Sequence, residues 1–231
     1  MKMLAGILTG LNLFCGLAAV IFAIEGEALA ASWMILVAVV LDGLDGAAAR
    51  LFSSASDFGR HFDSLSDIVS FGVAPCILAY SVFRAGLEFC TALSLFAYLL
   101  AGVIRLSYYC LGKDEDQSVH FSGLPITVAG GFSAAILYMS VRFPHLIFSI
   151  ILPVLLCLLA FLMVSNVPYP NMRGINQAPK GKIFLFGSIL AAAAGPVFLY
   201  AKAAIFAPEF GASLFFLFYI AFSPFLLRRI V

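Results

Sequence analysis

Apolar runs long enough to cross a lipid bilayer recur along almost the whole of this sequence. A spanning helix needs about 20 mostly apolar residues, and such runs fall at about 4–24, 30–52, 61–84, 90–112, 122–142, 145–165, 182–202 and 208–227. Short polar breaks separate them, among them "EGEA", "SSASDFG", "GKDEDQSVHFSG" and "VPYPNMRGINQAPKGK". Inside a bilayer the backbone has no water to bond, so runs of this length satisfy their own N–H and C=O groups as helices. The expectation is an all-α, polytopic transmembrane helical bundle of about eight spans, forming a single integral-membrane domain over 1–231. Composition agrees: 63% of residues are hydrophobic and 11% charged, against about 25% charged in a soluble domain.

The first run, within "MKMLAGILTGLNLFCGLAAVIFAIEGEAL", is longer than the roughly 7–15 residues of a signal-peptide core and has no clear cleavage site after it, so it reads as the first span. Lys and Arg placement sets orientation. With an even number of spans, Lys2, Arg50, Arg60, Lys113, Arg173, Lys180, Lys182, Arg228 and Arg229 fall on one side, and Arg84, Arg142 and Lys202 on the other. That bias places both termini in the cytoplasm. The net charge of +1 points to no nucleic-acid partner. The five cysteines, Cys15, Cys76, Cys90, Cys110 and Cys157, are odd in number and widely spaced, so they read as small hydrophobes rather than as a disulfide or zinc framework.

Against this background one stretch stands out. "LDGLDGAAARLFSSASDFGRHFDSLSDIVSFGVAP", residues 41–75, holds five of the chain's 12 acidic residues. Asp42 and Asp45 are three apart, and Asp63 and Asp67 four apart, so each pair shares one helix face. The "SSASDFG" connection lets the two helices return antiparallel, with the pairs facing each other at the cytoplasmic end of the second and third spans. Four facing carboxylates repel strongly at low dielectric; they need cations or protons. Oxygen-only ligands suit a hard divalent ion such as Mg²⁺ or Mn²⁺, and a two-metal site suits displacement at phosphorus. Gly43 and Gly46 flank Asp45 inside a helix, where each costs about 1 kcal/mol relative to Ala. With Ala47, Ala48 and Ala49 they leave room for a bulky ligand against the backbone, and they equally suit close helix packing. Arg50 can reach a phosphate as a bidentate donor. Asp57 falls outside both pairs and reads as a solvated or helix-capping residue.

Taken together, Asp42-x-x-Asp45-Gly46-x-x-Ala49-Arg50, eight residues, Gly59, three residues, Asp63, three residues and Asp67 resemble the signature of the CDP-alcohol phosphotransferase family at every position of 42–67. The resemblance implies a helical membrane fold of six core spans, here followed by two more in 181–231, and a homodimer. It implies transfer of a phosphatidyl-type group from a CDP-linked lipid to an alcohol, with release of CMP. Asp42, Asp45, Asp63 and Asp67 would then hold two divalent ions, Mg²⁺ or Mn²⁺. Gly46, Ala49, Arg50 and Gly59 would shape the cytidine diphosphate pocket. Asp67 would also be the general base, a role chemistry supports separately, because a neutral alcohol is a poor nucleophile without a positioned carboxylate.

The flanking residues bear on the acceptor. "LNLFCG", "HFDSLSDIVSFGVAP", "FSGLPITVAGG" at 121–131 and "FLMVSNVPYPNMRG" at 161–174 resemble the serine-accepting, phosphatidylserine synthase branch of the family, so the likeness covers about 1–180. Ile126 and Thr127 depart from the small residues and second proline expected there. The resemblance implies a CDP-diacylglycerol-type lipid (or its archaeal equivalent) and L-serine as substrates, within a membrane-lipid environment. Arg105, a charge inside the fourth span, is a candidate for an acceptor carboxylate or a donor phosphate. Ser70 lies seven after Asp63, on the same helix face, and is a candidate acceptor contact; Arg173 in the 166–182 loop is another, or serves as positive-inside charge; Asn12, within the first span, is a candidate for the nucleotide or for a bond to a neighbouring helix. Trp33, His61 and His120 read as membrane-interface residues. Other acceptors (glycerol 3-phosphate, inositol or inositol phosphate) would call for more basic residues beside the aspartates. A cation transporter would spread its ionisable residues along a path through several spans.

Overall fold

The computed structural model describes residues 2–51, 57–82, 88–110, 120–142, 146–170, 216–217 and 219–220. Helices α1 (Lys2–Ile24) and α2 (Ala28–Leu51) form an antiparallel hairpin. Its turn is dictated by Gly26, at φ 85°. The Glu27 N–H donates to the Phe22 carbonyl at 2.8 Å and the Gly26 N–H to the Ala23 carbonyl at 3.3 Å, the glycine-terminated helix end that satisfies otherwise orphaned carbonyls. Ala19 and Ala23 of α1 and Ala31, Ile35 and Ala38 of α2 are buried, and small residues let two membrane helices approach closely.

The third span is built from three pieces: α3 (Asp57–Asp67), a π-helical turn over Ile68–Val73, and α4 (Ala74–Val82). α5 (Glu88–Cys110), α6 (Ile126–Arg142) and α7 (Leu146–Val164) follow. Two three-residue strands, β1 (His120–Ser122) and β2 (Pro168–Pro170), pair antiparallel, with Phe121 opposite Tyr169. They join two of the quoted motifs, one leading into α6 and the other following α7. Gly123, at φ 87°, turns the chain between β1 and α6. A Cβ there would lie 2.3 Å from the Met163 carbonyl oxygen, so the site accepts only glycine.

The helical membrane architecture expected from the sequence is present. Among the described residues four helical segments, Gly6–Ile24, Ala28–Gly46, Asp57–Val82 and Phe89–Cys110, are long and apolar enough to cross a membrane, and two shorter apolar helices lie at Ile126–Arg142 and Ile151–Val164. The expected span at 182–202 and most of that at 208–227 lie outside the described residues, as do Arg173, Lys180 and Lys182. The outward side is apolar: Ile7, Leu11, Phe14, Leu17, Ile21 and Ile24 line one exposed stripe of α1, a pattern that lipid solvates. The five cysteines are free. Cys15 and Cys76 are buried as expected, whereas Cys157 sits on an exposed apolar face of α7.

Candidate active site

Because α1 and α2 are antiparallel, the N-terminal half of α1 lies beside the C-terminal half of α2, where Asp42 and Asp45 sit. α3 packs against α1 on the same side. Three carboxylates from two helices converge there: oxygen atoms of Asp42, Asp63 and Asp67 all lie within 4.8 Å of one another. Asp67 is buried; Asp42 and Asp63 are partly buried. The i, i+4 spacing of Asp63 and Asp67 on the regular part of α3 puts both on the face turned to α2.

Asp45 is placed differently from its three partners. It is buried, and its Oδ2 accepts a hydrogen bond from Thr9 Oγ1 at 2.9 Å. It falls outside the group of three, yet it remains close enough to act electrostatically on Asp63 and Asp67.

Side chains from other helices hold the carboxylates. Asn12 Nδ2 donates to Asp67 Oδ1 at 3.0 Å, and Thr127 Oγ1, from the first turn of α6, donates to Asp42 Oδ2 at 3.0 Å. Thr127 was singled out in the sequence only as a departure from a pattern. Neither it nor Thr9 carried a signal beyond being a hydroxyl on an apolar helix. For Asn12 the alternatives were the nucleotide and a neighbouring helix; its amide nitrogen meets Asp67 of α3, while its Oδ1 is buried with no hydrogen-bond partner among the described residues. Ser70, placed by its spacing on the face of Asp63, lies within the π-helical turn, beside the Asn12 that holds Asp67. It is fully buried and donates to the Asn12 carbonyl at 3.0 Å.

The remaining expected residues surround this cluster to different extents. Gly46 is partly buried on α2 and Gly59 partly buried on α3. Ala49 and Arg50 belong to the last turn of α2, and their side chains lie outside the described residues. Gly43 is exposed on α2 beside Asp42, and a Cβ on it would meet no described atom within 4 Å. Arg105 is buried on α5, whose end reaches α3: Cys110 Sγ lies 3.3 Å from the hydroxyl of Ser64, the neighbour of Asp63. Asp57 opens α3 and pairs with Arg60 at the exposed surface.

The donor set fits a hard divalent cation. It consists of carboxylate oxygens, and Asp63 Oδ1 is buried without a hydrogen-bond partner among the described residues, an arrangement expensive for a bare carboxylate and suited to a metal ligand.

Fold and site together define a polytopic helical membrane protein with a buried acidic cluster able to bind a metal. The chain belongs to the CDP-alcohol phosphatidyltransferase family, whose model matches residues 2–215. Among curated proteins it is similar to the CDP-diacylglycerol–serine O-phosphatidyltransferase of Helicobacter pylori, at 32% identity over 73% of this chain and 72% of the relative. The enzyme of the same name from Bacillus subtilis is 35% identical over 70% of this chain and 86% of the relative. The archaetidylserine synthase of Methanothermobacter thermautotrophicus is 32% identical over 76% of this chain and 72% of the relative.

Proposed function

We propose that this protein transfers a phosphatidyl-type group from a CDP-linked lipid, CDP-diacylglycerol or its archaeal equivalent, to the hydroxyl of L-serine, releasing CMP. The observation that carries the chemistry is the convergence of Asp42, Asp63 and Asp67 from two helices. The serine acceptor is supported by the names of the relatives, which include both diacyl and archaeal lipid synthases.

In this reading Asp42, Asp45, Asp63 and Asp67 would hold two divalent ions, Mg²⁺ or Mn²⁺. Bound there, the ions would supply positive charge against the diphosphate and the leaving CMP. The protein's own residues do the rest. Asp67, oriented by Asn12, takes the proton from the serine hydroxyl as its oxygen forms a bond to the lipid-bearing phosphorus. The bond from that phosphorus to the CMP oxygen breaks. Gly46, Ala49, Arg50 and Gly59 form the cytidine diphosphate pocket, with the buried Oδ1 of Asn12 as a further acceptor for it. Arg105 receives the serine carboxylate, with Arg173 and Ser70 as additional acceptor-side residues. The site and both termini face the cytoplasm, the chain is one integral-membrane domain, and it works as a homodimer.

The test is an acceptor panel. Purified protein in detergent, with CDP-diacylglycerol and Mn²⁺, is given serine, glycerol 3-phosphate, inositol, inositol phosphate or no acceptor, and CMP release is followed. Release with serine alone is expected. Release with a different alcohol would keep the metal chemistry and overturn the serine assignment.

A further inference from the structure

The helix that carries Asp63 and Asp67 does not continue as a regular α-helix. From Ile68 to Val73 it winds as a π turn, closed by the Ala74 N–H donating to the Val69 carbonyl five residues back. Such turns are rare, are inferior to α-helix in packing, and need their neighbours to hold them. Here three helices do so. From α5, the hydroxyl of Tyr98 donates to the Phe71 carbonyl at 2.8 Å, and Tyr98 is wholly buried. From α1, Asn12 offers its carbonyl to Ser70, and Gly16 leaves so little space that a Cβ would lie 2.4 Å from Ser70 Oγ. From α6, Gly130 lies against Phe71, where a Cβ would be 2.7 Å from the phenylalanine Cβ.

The two halves of this span are both partly buried. After the turn Ala74, Leu78 and Ala79 have no exposed surface and Tyr80 is exposed; before it Ser64, Ser66 and Asp67 are buried while Phe58 and Leu65 are 80% and 63% exposed. Relaxing a π turn to α-helical winding rotates one half against the other by about 100°, the angle of one residue. α3 carries both aspartates, so a rotation of that size would move them off Asp42.

We propose that Tyr98 is a positioning residue for the metal site. Its hydroxyl-to-carbonyl bond fixes the π turn, and the turn sets the rotation of α3 that brings Asp63 and Asp67 to Asp42. Tyr98 acts through Phe71 and touches none of the carboxylates itself. The proposal rests on the metal-site reading above and is independent of which alcohol is the acceptor.

The test is a Mn²⁺ titration of the full-length protein in detergent, following free Mn²⁺ by its paramagnetic resonance signal. Tyr98→Phe removes one oxygen and leaves the ring. It is expected to weaken Mn²⁺ binding by about fivefold, the equivalent of one ordinary hydrogen bond. The metal concentration for half-maximal CMP release should move with it. Gly130→Ala pushes on the same turn from α6 and should weaken binding in the same direction. Ser140→Ala, which removes a buried hydroxyl bonded to the Leu137 carbonyl elsewhere on α6, should change thermal stability without changing Mn²⁺ affinity. Wild-type affinity in Tyr98→Phe overturns the proposal; should that variant not fold, wild-type affinity in Gly130→Ala does so. Wild-type protein that binds no Mn²⁺ overturns the metal-site reading and this proposal together. Wild-type protein that binds Mn²⁺ but releases no CMP overturns only the transferase reading, and the variants still decide the role of Tyr98.

Discussion

Asn12 on the first helix donates its amide to Oδ1 of Asp67 on the third at 3.0 Å, across 55 positions of sequence. The same residue receives Ser70 on its backbone carbonyl. One position of α1 therefore fixes both the carboxylate assigned as base and the turn that follows it. Replacing Asn12 by Leu keeps the size and removes the donor. A hydrogen bond to a charged group contributes about 1.5–3 kcal/mol, so kcat should fall by about 10- to 100-fold. CMP release under saturating substrates measures it, and an unchanged kcat would mean that Asp67 needs no such orientation.

The roles of the aspartates separate by metal rescue. Asp67→Asn should lower kcat by at least about 100-fold, the lower end of what a positioned general base contributes, and added Mn²⁺ should not restore it. Asp42→Asn should lose activity mainly through weaker metal binding, so raising Mn²⁺ should recover part of it. Full recovery of Asp67→Asn at high Mn²⁺ would leave that residue a ligand and no base.

Carboxylates of Asp42, Asp63 and Asp67 crowd within 4.8 Å, so a cation that relieves their repulsion should stabilise the fold. Ion at about 100 times its dissociation constant adds about 2.7 kcal/mol to a site that exists only in the folded state. The unfolding temperature in detergent should rise with Mn²⁺ or Mg²⁺ in the wild type and not in an Asp42→Asn, Asp63→Asn double variant. Chelation should stop CMP release in the wild type and re-addition restore it.

Thr127 holds Asp42 through its hydroxyl. Thr127→Val preserves shape and leaves Asp42 without that donor. The half-maximal metal concentration should rise by about 10- to 100-fold, as a hydrogen bond to a charged group contributes about 1.5–3 kcal/mol. Thr127→Ser should restore it, since the hydroxyl alone is required.

Two glycines should respond in opposite ways to alanine. At Gly16 the added methyl would lie 2.8 Å from the Ser70 Cα, a backbone atom, and overpacking of this kind destabilises by about 1–3 kcal/mol. At Gly43 no described atom lies within 4 Å, and alanine favours helix over glycine by about 1 kcal/mol. Gly43→Ala should thus leave or raise the unfolding temperature while raising KM for the CDP-linked lipid. An unchanged KM would show that the donor does not occupy the space beside α2.

Much of this was legible in the residues. Membrane helices announce themselves, because a bilayer forces each backbone to satisfy itself and so makes length and polarity of a run sufficient information. The first four spans fall close to the expected positions for that reason. The aspartate pairs were legible too, since i, i+3 and i, i+4 spacing fixes a shared face wherever the helix is regular. Ser70 shows the limit: its spacing from Asp63 assumed regular winding, and the π turn in which it lies carries no signal in the residues. The strand pairing of Phe121 with Tyr169 was likewise invisible, as three-residue strands carry no period of their own.

Local composition and spacing are enough to make this chain a helical membrane protein with paired acidic residues on its second and third spans. Which carboxylates meet is a property of the folded bundle. Asp42, Asp63 and Asp67 form the tight group while Asp45 turns to Thr9, and Asn12, Thr127 and Tyr98 are recruited from distant helices. Those choices depend on the rotation of one helix against another, which side-chain packing and single hydrogen bonds set across the bundle and no local stretch encodes.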